Sequence, residues 1–377
     1  MSKIALNYYN LKKGDIILTS IDDDISRKIQ TLTNSKYTHA SLCLTSTSVI
    51  EATLQGVNLF SPLYFVFNSI DDLKVLRLKY DNYQNIDQIL LGIEDAARDF
   101  SFRKYSTFGA IKAGKAKQID SLTDKPHEKI QLLDKWEKAV HCSQLVSLAY
   151  NIGGKITLSD SLPPELITPS DIESSIILED VTALVTLEIG DDKIGNSKIY
   201  PNVPDNSVPS EQTIVAQTAL SKLEPVFKEI NYPIPPDLNY VFPLLGELEE
   251  EKAMLLDDRL DNILSLTGFY NLGEKFEQLY LQGNDILTIT SRQIENGEIN
   301  KSNKDAYLFE IDFQINTNRG TIKRQTENLY TCIENYAYSQ KKTFLSLIDM
   351  YKKVISFCYS CVRDGLEAKK MIDEKIK

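Results

Sequence analysis

The sequence predicts an α+β N-terminal half, built from a small antiparallel sheet and one buried helix, followed by an all-α helical bundle. Three observations carry this. Short β-patterned runs separated by turn residues crowd the early chain: Ile16-Ile17-Leu18, His39 to Leu44, Ser48 to Thr53 and Leu73 to Leu78. A helix-period stretch, Val140 to Tyr150, sets Leu145, Val146 and Ala149 on one face. Beyond Pro201, Pro204 and Pro209 the pattern turns helical, with glycine and proline sparse inside the segments. The 377 residues exceed one typical core. Two domains are therefore expected, residues 1–199 and 213–377, joined by a linker at 200–212.

In chain order, Leu11 to Gly14 reads as a turn and Ile16 to Leu18 as a strand. Asp24 to Thr33 reads as a helix through Ile25, Ile29 and Leu32. The strands His39 to Leu44, Ser48 to Thr53 and Leu73 to Leu78 have short connections, as in hairpins and meanders. Leu59 to Phe67 is unusually apolar for a connection, and reads as a buried strand or sheet cover ahead of a lining for an apolar groove. Ile86 to Phe100 has helical spacing; Phe102 to Gly109 reads as a loop. Leu132 to Val140 leads into the helix at Cys142, which Asn151-Ile152-Gly153-Gly154 stops. A proline-stiffened turn at Leu162 to Pro169 precedes a helix with Ser170 as its cap. Ile176 to Ile189 reads as a closing strand or strand pair. After the linker, Thr213–Glu229, Leu244–Leu266, Asn271–Asn296, Tyr307–Asn335 and Tyr338–Ile376 predict a bundle of about four to six helices without a fixed-period repeat.

A net charge of −11 argues against nucleic acid as a main partner and gives no general attraction to anionic lipid. No run of about 18 apolar residues is present, so no transmembrane helix is expected. Met1 to Asn10 lacks the apolar core of a secretory signal. A cytoplasmic protein is expected, or one exported by a signal-independent route. Five scattered cysteines do not make a disulfide framework, and the lone pair Cys358 and Cys361 lies in helical pattern, where packing is the expected role. The three histidines are dispersed, with no zinc motif and no phosphate-cradling glycine loop. Neither metal nor cofactor is expected.

Cys142 opens a predicted helix, where unpaired backbone N–H groups and the helix dipole favour negative charge. That setting lowers a thiol pKa and makes the sulfur a nucleophile. A thiolate nucleophile needs a base, and an orienting group for that base. His39, opening a strand, is the best candidate. Glu51 lies on the next strand of the same hairpin, where opposite residues are about 5 Å apart, and is expected to hold the second ring nitrogen. His141 neighbours Cys142 in sequence and is a poor base for it, because neighbours on a helix do not face each other. His127 reads as a solvated loop residue and Cys43 as a packed one.

These residues also carry a family resemblance. Gly14-Asp15-Ile16-Ile17-Leu18, Ser35-Lys36-Tyr37-Thr38-His39-Ala40, Ile50-Glu51-Ala52 with Gly56-Val57, and Cys142-Ser143-Gln144-Leu145-Val146 resemble the circularly permuted papain-fold hydrolases. This is the YiiX-like branch of the NlpC-type superfamily, related to lecithin:retinol acyltransferase-like proteins. Histidine precedes cysteine here, the permuted order. The resemblance spans about residues 11–175. It implies a permuted papain-like domain with Cys142 as nucleophile, His39 as base and Glu51 as the orienting third member. It also suggests Tyr105 as an oxyanion or substrate contact. The bundle has no counterpart in that family, and many peptidoglycan-cleaving members carry an export signal that this sequence lacks.

The expected function is that of a cysteine hydrolase cleaving an amide bond, such as one in a peptidoglycan-type peptide, through an acyl-enzyme. The alternatives are a lipid thioesterase or acyltransferase using the same pair, and a non-catalytic binding or effector module. The expected partners are a peptide- or acyl-containing substrate and a protein docking on the C-terminal helices.

Overall fold

Alternation in the N-terminal runs becomes antiparallel sheet in the computed structural model, which describes residues 2–20, 36–106, 109, 110, 113, 139–190, 210–279, 282 and 285–376. The helix expected at Asp24 to Thr33, His127 and the linker up to residue 209 lie outside the described residues. The strands are β1 (Ser2–Leu6), β2 (Ile16–Thr19), β3 (His39–Thr45), β4 (Ser48–Thr53), β5 (Gly56–Phe60), β6 (Val66–Phe67), β7 (Leu73–Leu78), β8 (Lys104–Tyr105), β9 (Ala139–Val140), β10 (Leu178–Asp180) and β11 (Thr186–Gly190). The helices before residue 210 are α1 (Ile86–Arg98), α2 (Cys142–Gly154), α3 (Pro169–Glu173) and α4 (Thr182–Val185). This part of the chain is α+β.

The main sheet has six antiparallel strands in the order β10-β7-β2-β3-β4-β5, and a second sheet runs β11-β1-β6. Strand β1, which pairs with β11 over five positions, is too short to carry a readable period in sequence. The apolar Leu59 to Phe67 run ends β5, makes a 3-10 turn at Pro62–Tyr64 capped by Ser61, and forms edge strand β6; Leu63 and Phe65 are buried in packing. The Ile176 to Ile189 stretch splits into β10, α4 and β11, with its two strands in different sheets. The expected loop after Phe102 holds β8, which pairs in parallel with β9.

One face of the main sheet packs on α1 and α2. Ala40, Leu42, Leu44, Ile50 and Ala52 share a buried cluster with Leu90, Ile93, Leu145, Val146 and Ala149. The two helices touch backbone to backbone. A Cβ added at Gly153 would fall far inside van der Waals contact of the Gly92 carbonyl, and one at Gly92 would strike Gly153. Only glycine admits that approach. At the far end of the cluster, Tyr150 Oη donates to the Gly14 carbonyl at 2.5 Å. On the other face Arg77 grips Asp15 with two bonds, Nε to Oδ1 at 2.7 Å and Nη2 to Oδ2 at 2.6 Å. Burial nevertheless raises the Asp15 carboxyl above the usual carboxylate range, against the pull of Arg77. Helix α3 is capped by Thr168 rather than Ser170, because Pro169 fills the first helical position. Asp171 accepts from Thr168 N at 2.8 Å, closing a capping box.

By contacts the chain divides into two units, residues 1–213 with 235–237, and residues 214–234 with 238–377. The helices from residue 211 onward are α5 (Glu211–Glu229), α6 (Val241–Glu247), α7 (Glu250–Leu266), α8 (Glu274–Leu279), α9 (Ile286–Glu295), α10 (Lys304–Ser339) and α11 (Lys342–Lys375). Among the described residues these make seven, because the predicted segments Leu244 to Leu266 and Asn271 to Asn296 each take in two. Leu244 to Leu266 breaks where Glu249 takes an extended cap conformation (φ −53°, ψ 143°). Asn271 to Asn296 contains both α8 and α9. Within the second unit α10 and α11 form a long hairpin, reversed at Gln340, whose φ is 55°. Asp257 of α7 caps α11, accepting from Lys342 N at 2.7 Å and Thr343 N at 2.9 Å. One turn on, Asp261 accepts from Ser346 Oγ at 2.7 Å and Tyr270 Oη at 3.0 Å. Cys358 lies in α11, where burial pushes its thiol up to about 11. Among the described residues no helix is long and apolar enough to cross a membrane.

Candidate active site

His39 is the first residue of β3 and Cys142 the first of α2, and the fold brings the two side chains into hydrogen-bonding contact. His39 Nε2 meets Glu51 Oε2 at 2.8 Å. With Nε2 so engaged, Nδ1 is the nitrogen left to face the thiol. Cys142, His39 and Glu51 are all buried.

The register corrects how Glu51 gets there. Ser41, not His39, lies opposite Glu51, and His39 reaches the carboxylate diagonally. A β-bulge between Cys43 and Thr45 makes this possible. Carried on without the bulge, the Thr45–Ser48 register would set Glu51 against Leu42, which points into the apolar core. The one-residue shift turns Glu51 to the pleat face that carries His39 and Ser41.

His141 is the N-cap of α2, in an extended conformation (φ −99°, ψ 170°). Its Nδ1 accepts from Gln144 N at 3.4 Å, and Gln144 Oε1 accepts from His141 N at 3.2 Å. Because Nδ1 is an acceptor here, the proton sits on Nε2, which donates to the Glu165 carbonyl at 3.1 Å. The expectation that His141 is a poor base for Cys142 assumed that both lie in the helix. As a cap, His141 is outside it and does touch the thiol. Cys142 and Ser143 hold the first two helical positions, whose N–H groups have no intrahelical acceptor.

Burial pushes the Cys142 thiol up, but the adjacent His39 charge, then the neighbouring His141 and the bond to His39, bring it well below the ordinary thiol value. Burial lowers His39, and the Glu51 and Cys142 charges outweigh that and hold it well above the ordinary histidine value. Glu51 is also raised by burial, yet His39 and Ser41 bring it below the ordinary carboxylate value. The three shifts favour one charge state, carboxylate, imidazolium and thiolate. Cys43, on the same strand as His39, has its thiol pushed well up by burial and behaves as a packing residue.

Tyr105 lies beside Val140 in the short parallel pair, two positions before Cys142, and packs at the edge of the buried cluster. Among the described residues no group of three or more His, Cys, Asp or Glu side chains is placed to hold a metal ion. Two contributors were missed in sequence. Ser41 shares the His39 face by simple alternation. Gln144, three positions after His141, is the mark of a capping box.

No family model matches this chain, and no curated protein matches it. Among solved structures, the chain has a likeness to a crystal structure of the metalloprotein YiiX from Escherichia coli O157:H7, at 14% identity and a TM-score of 0.27, over 46% of this chain and 97% of that one. A likeness that weak decides nothing about this chain.

Proposed function

We propose that this protein is a cysteine-dependent hydrolase of the permuted papain-like kind, cleaving an amide bond through an acyl-enzyme on Cys142. The observation that carries the reading is the continuous line from Glu51 through His39 to a thiol at the first position of a helix. Cys142 Sγ attacks the carbonyl carbon. The tetrahedral oxyanion forms beside the open N–H groups at the start of α2. His39 gives its Nδ1 proton to the leaving amine, and a thioester remains. His39 then takes a proton from the attacking water, and the acid leaves as the C–S bond breaks and the thiolate–imidazolium pair is regenerated. Glu51 keeps the ring in one orientation and steadies its charge. Tyr105, beside the strand that leads into Cys142, is a substrate contact in this scheme.

The test is to incubate the protein with peptidoglycan-type stem peptides and with acyl esters, and to read its intact mass. The expected result is an acyl adduct that maps to Cys142, is released by hydroxylamine, and is absent in Cys142→Ala. An adduct that forms equally on Cys142→Ala would contradict the assignment. Preference between peptides and esters reports the substrate class.

A further inference from the structure

The Ser41 hydroxyl donates to Glu51 Oε2 at 2.7 Å, the same oxygen that meets His39 Nε2 at 2.8 Å. Ser41 is 0% exposed, and it faces Glu51 directly across the β3–β4 ladder. A carboxylate oxygen has two good acceptor directions. His39 takes one and Ser41 the other. A single bond to the imidazole would leave the carboxylate free to pivot about it. A second donor, fixed by the strand register, sets the carboxylate plane. We propose that Ser41 is a positioning residue of this site, whose hydroxyl keeps Glu51 ionised and aimed so that Glu51 anchors the His39 imidazolium.

This rests on the reading of Cys142 and His39 as a reactive pair. Among the described residues the groups that bear on Glu51 are few. From β3 they are His39 and Ser41, and α2 contributes Cys142 through His39. On β5 the opposite residue is the neutral Asn58, whose amide donates to the Gly56 carbonyl at 3.2 Å. Burial penalises a charged Glu51, and two donors offset the penalty. Without the Ser41 hydroxyl, Glu51 takes up a proton at higher pH. Once neutral it no longer holds the imidazolium, and the pair returns to neutral thiol and neutral imidazole. A buried serine that merely satisfied its own hydroxyl would affect stability but not this titration.

The experiment follows the rate of Cys142 alkylation by iodoacetamide against pH in the full chain, with melting temperature measured in parallel. In Ser41→Ala the acid limb of the profile is expected to move up by about one pH unit, roughly a tenfold slowing on that limb, with the neutral plateau unchanged. Ser41→Thr keeps the hydroxyl and is expected to restore the wild-type limb. A Ser41→Ala profile that superimposes on wild type, or is lowered uniformly at every pH, overturns the proposal. His39→Ala and Glu51→Gln are run beside it. If they slow alkylation while Ser41→Ala does not shift it, Ser41 fails alone. If they also leave the rate unchanged, the reactive pair itself is wrong.

Discussion

Replacing His39 with alanine is expected to slow alkylation of Cys142 near pH 6 by roughly tenfold to a hundredfold. An isolated thiol with a pKa of about 8.5 is well under one per cent thiolate at that pH. His39 holds the Cys142 thiol well below its ordinary value, which favours the thiolate. A low-pKa thiolate is intrinsically the weaker nucleophile, which returns part of the gain. Removing the imidazole also takes away the largest influence that offsets the burial of Cys142, so its thiol rises. The sign in pH follows. The difference is large in acid, shrinks as pH rises and a free thiol ionises, and is smallest in alkali. A rate ratio near one at pH 6 would remove His39 from the account.

Gly153→Ala carries the second large effect, on stability. In a helix interior, alanine is ordinarily better than glycine by about 1 kcal/mol. Here the added methyl would meet the Gly92 carbonyl and the Ile93 N of α1. Backbone cannot rotate aside as a side chain can, so α1 and α2 must separate. Overpacking of a tight contact costs roughly 1–3 kcal/mol, and a backbone collision belongs at or above the upper end. The expected result is a lower urea midpoint and slower alkylation of Cys142, because α2 carries the thiol. Gly320→Ala is the control. There a Cβ meets nothing within 4 Å among the described residues, and stabilisation of the helix is expected instead. A neutral or stabilising Gly153→Ala would mean that the helices have room to move apart.

How much of this was legible in sequence depends on the range of the cause. Periodicity located β3, β4, β7, α1 and α2, because each buries a face whose spacing is local. Cys142 and His39 were legible because each opens an element, a position that residue type and pattern announce together. Glu51 was named for a simpler pairing than the one observed. Its place depends on a bulge, and nothing in Cys43 to Thr45 marks where a ladder will slip. Ser41 went unnoticed because a serine in an alternating strand is ordinary until its neighbour is known to be a buried carboxylate. His141 is the cap rather than a residue inside the helix, and Gln144 three positions later is the capping signal that marks it. In the second half the amphipathic pattern was readable, but the break at Glu249 involves neither a glycine nor a proline at that residue.

The most direct measurement is the ultraviolet absorbance of the Cys142 thiolate against pH, taken as the difference between wild type and Cys142→Ser. Cys43, Cys332 and Cys358 interfere little near neutrality, since burial raises Cys43 well above its ordinary value and carries the other two to about 11. The account predicts a thiolate signal already present at about pH 6, lost only on further acidification, with the acid limb displaced in Glu51→Gln. A signal that first appears near the ordinary thiol pKa of about 8.5, unaltered by removing His39, would contradict the central claim that Glu51, His39 and Cys142 form one ionised reactive line.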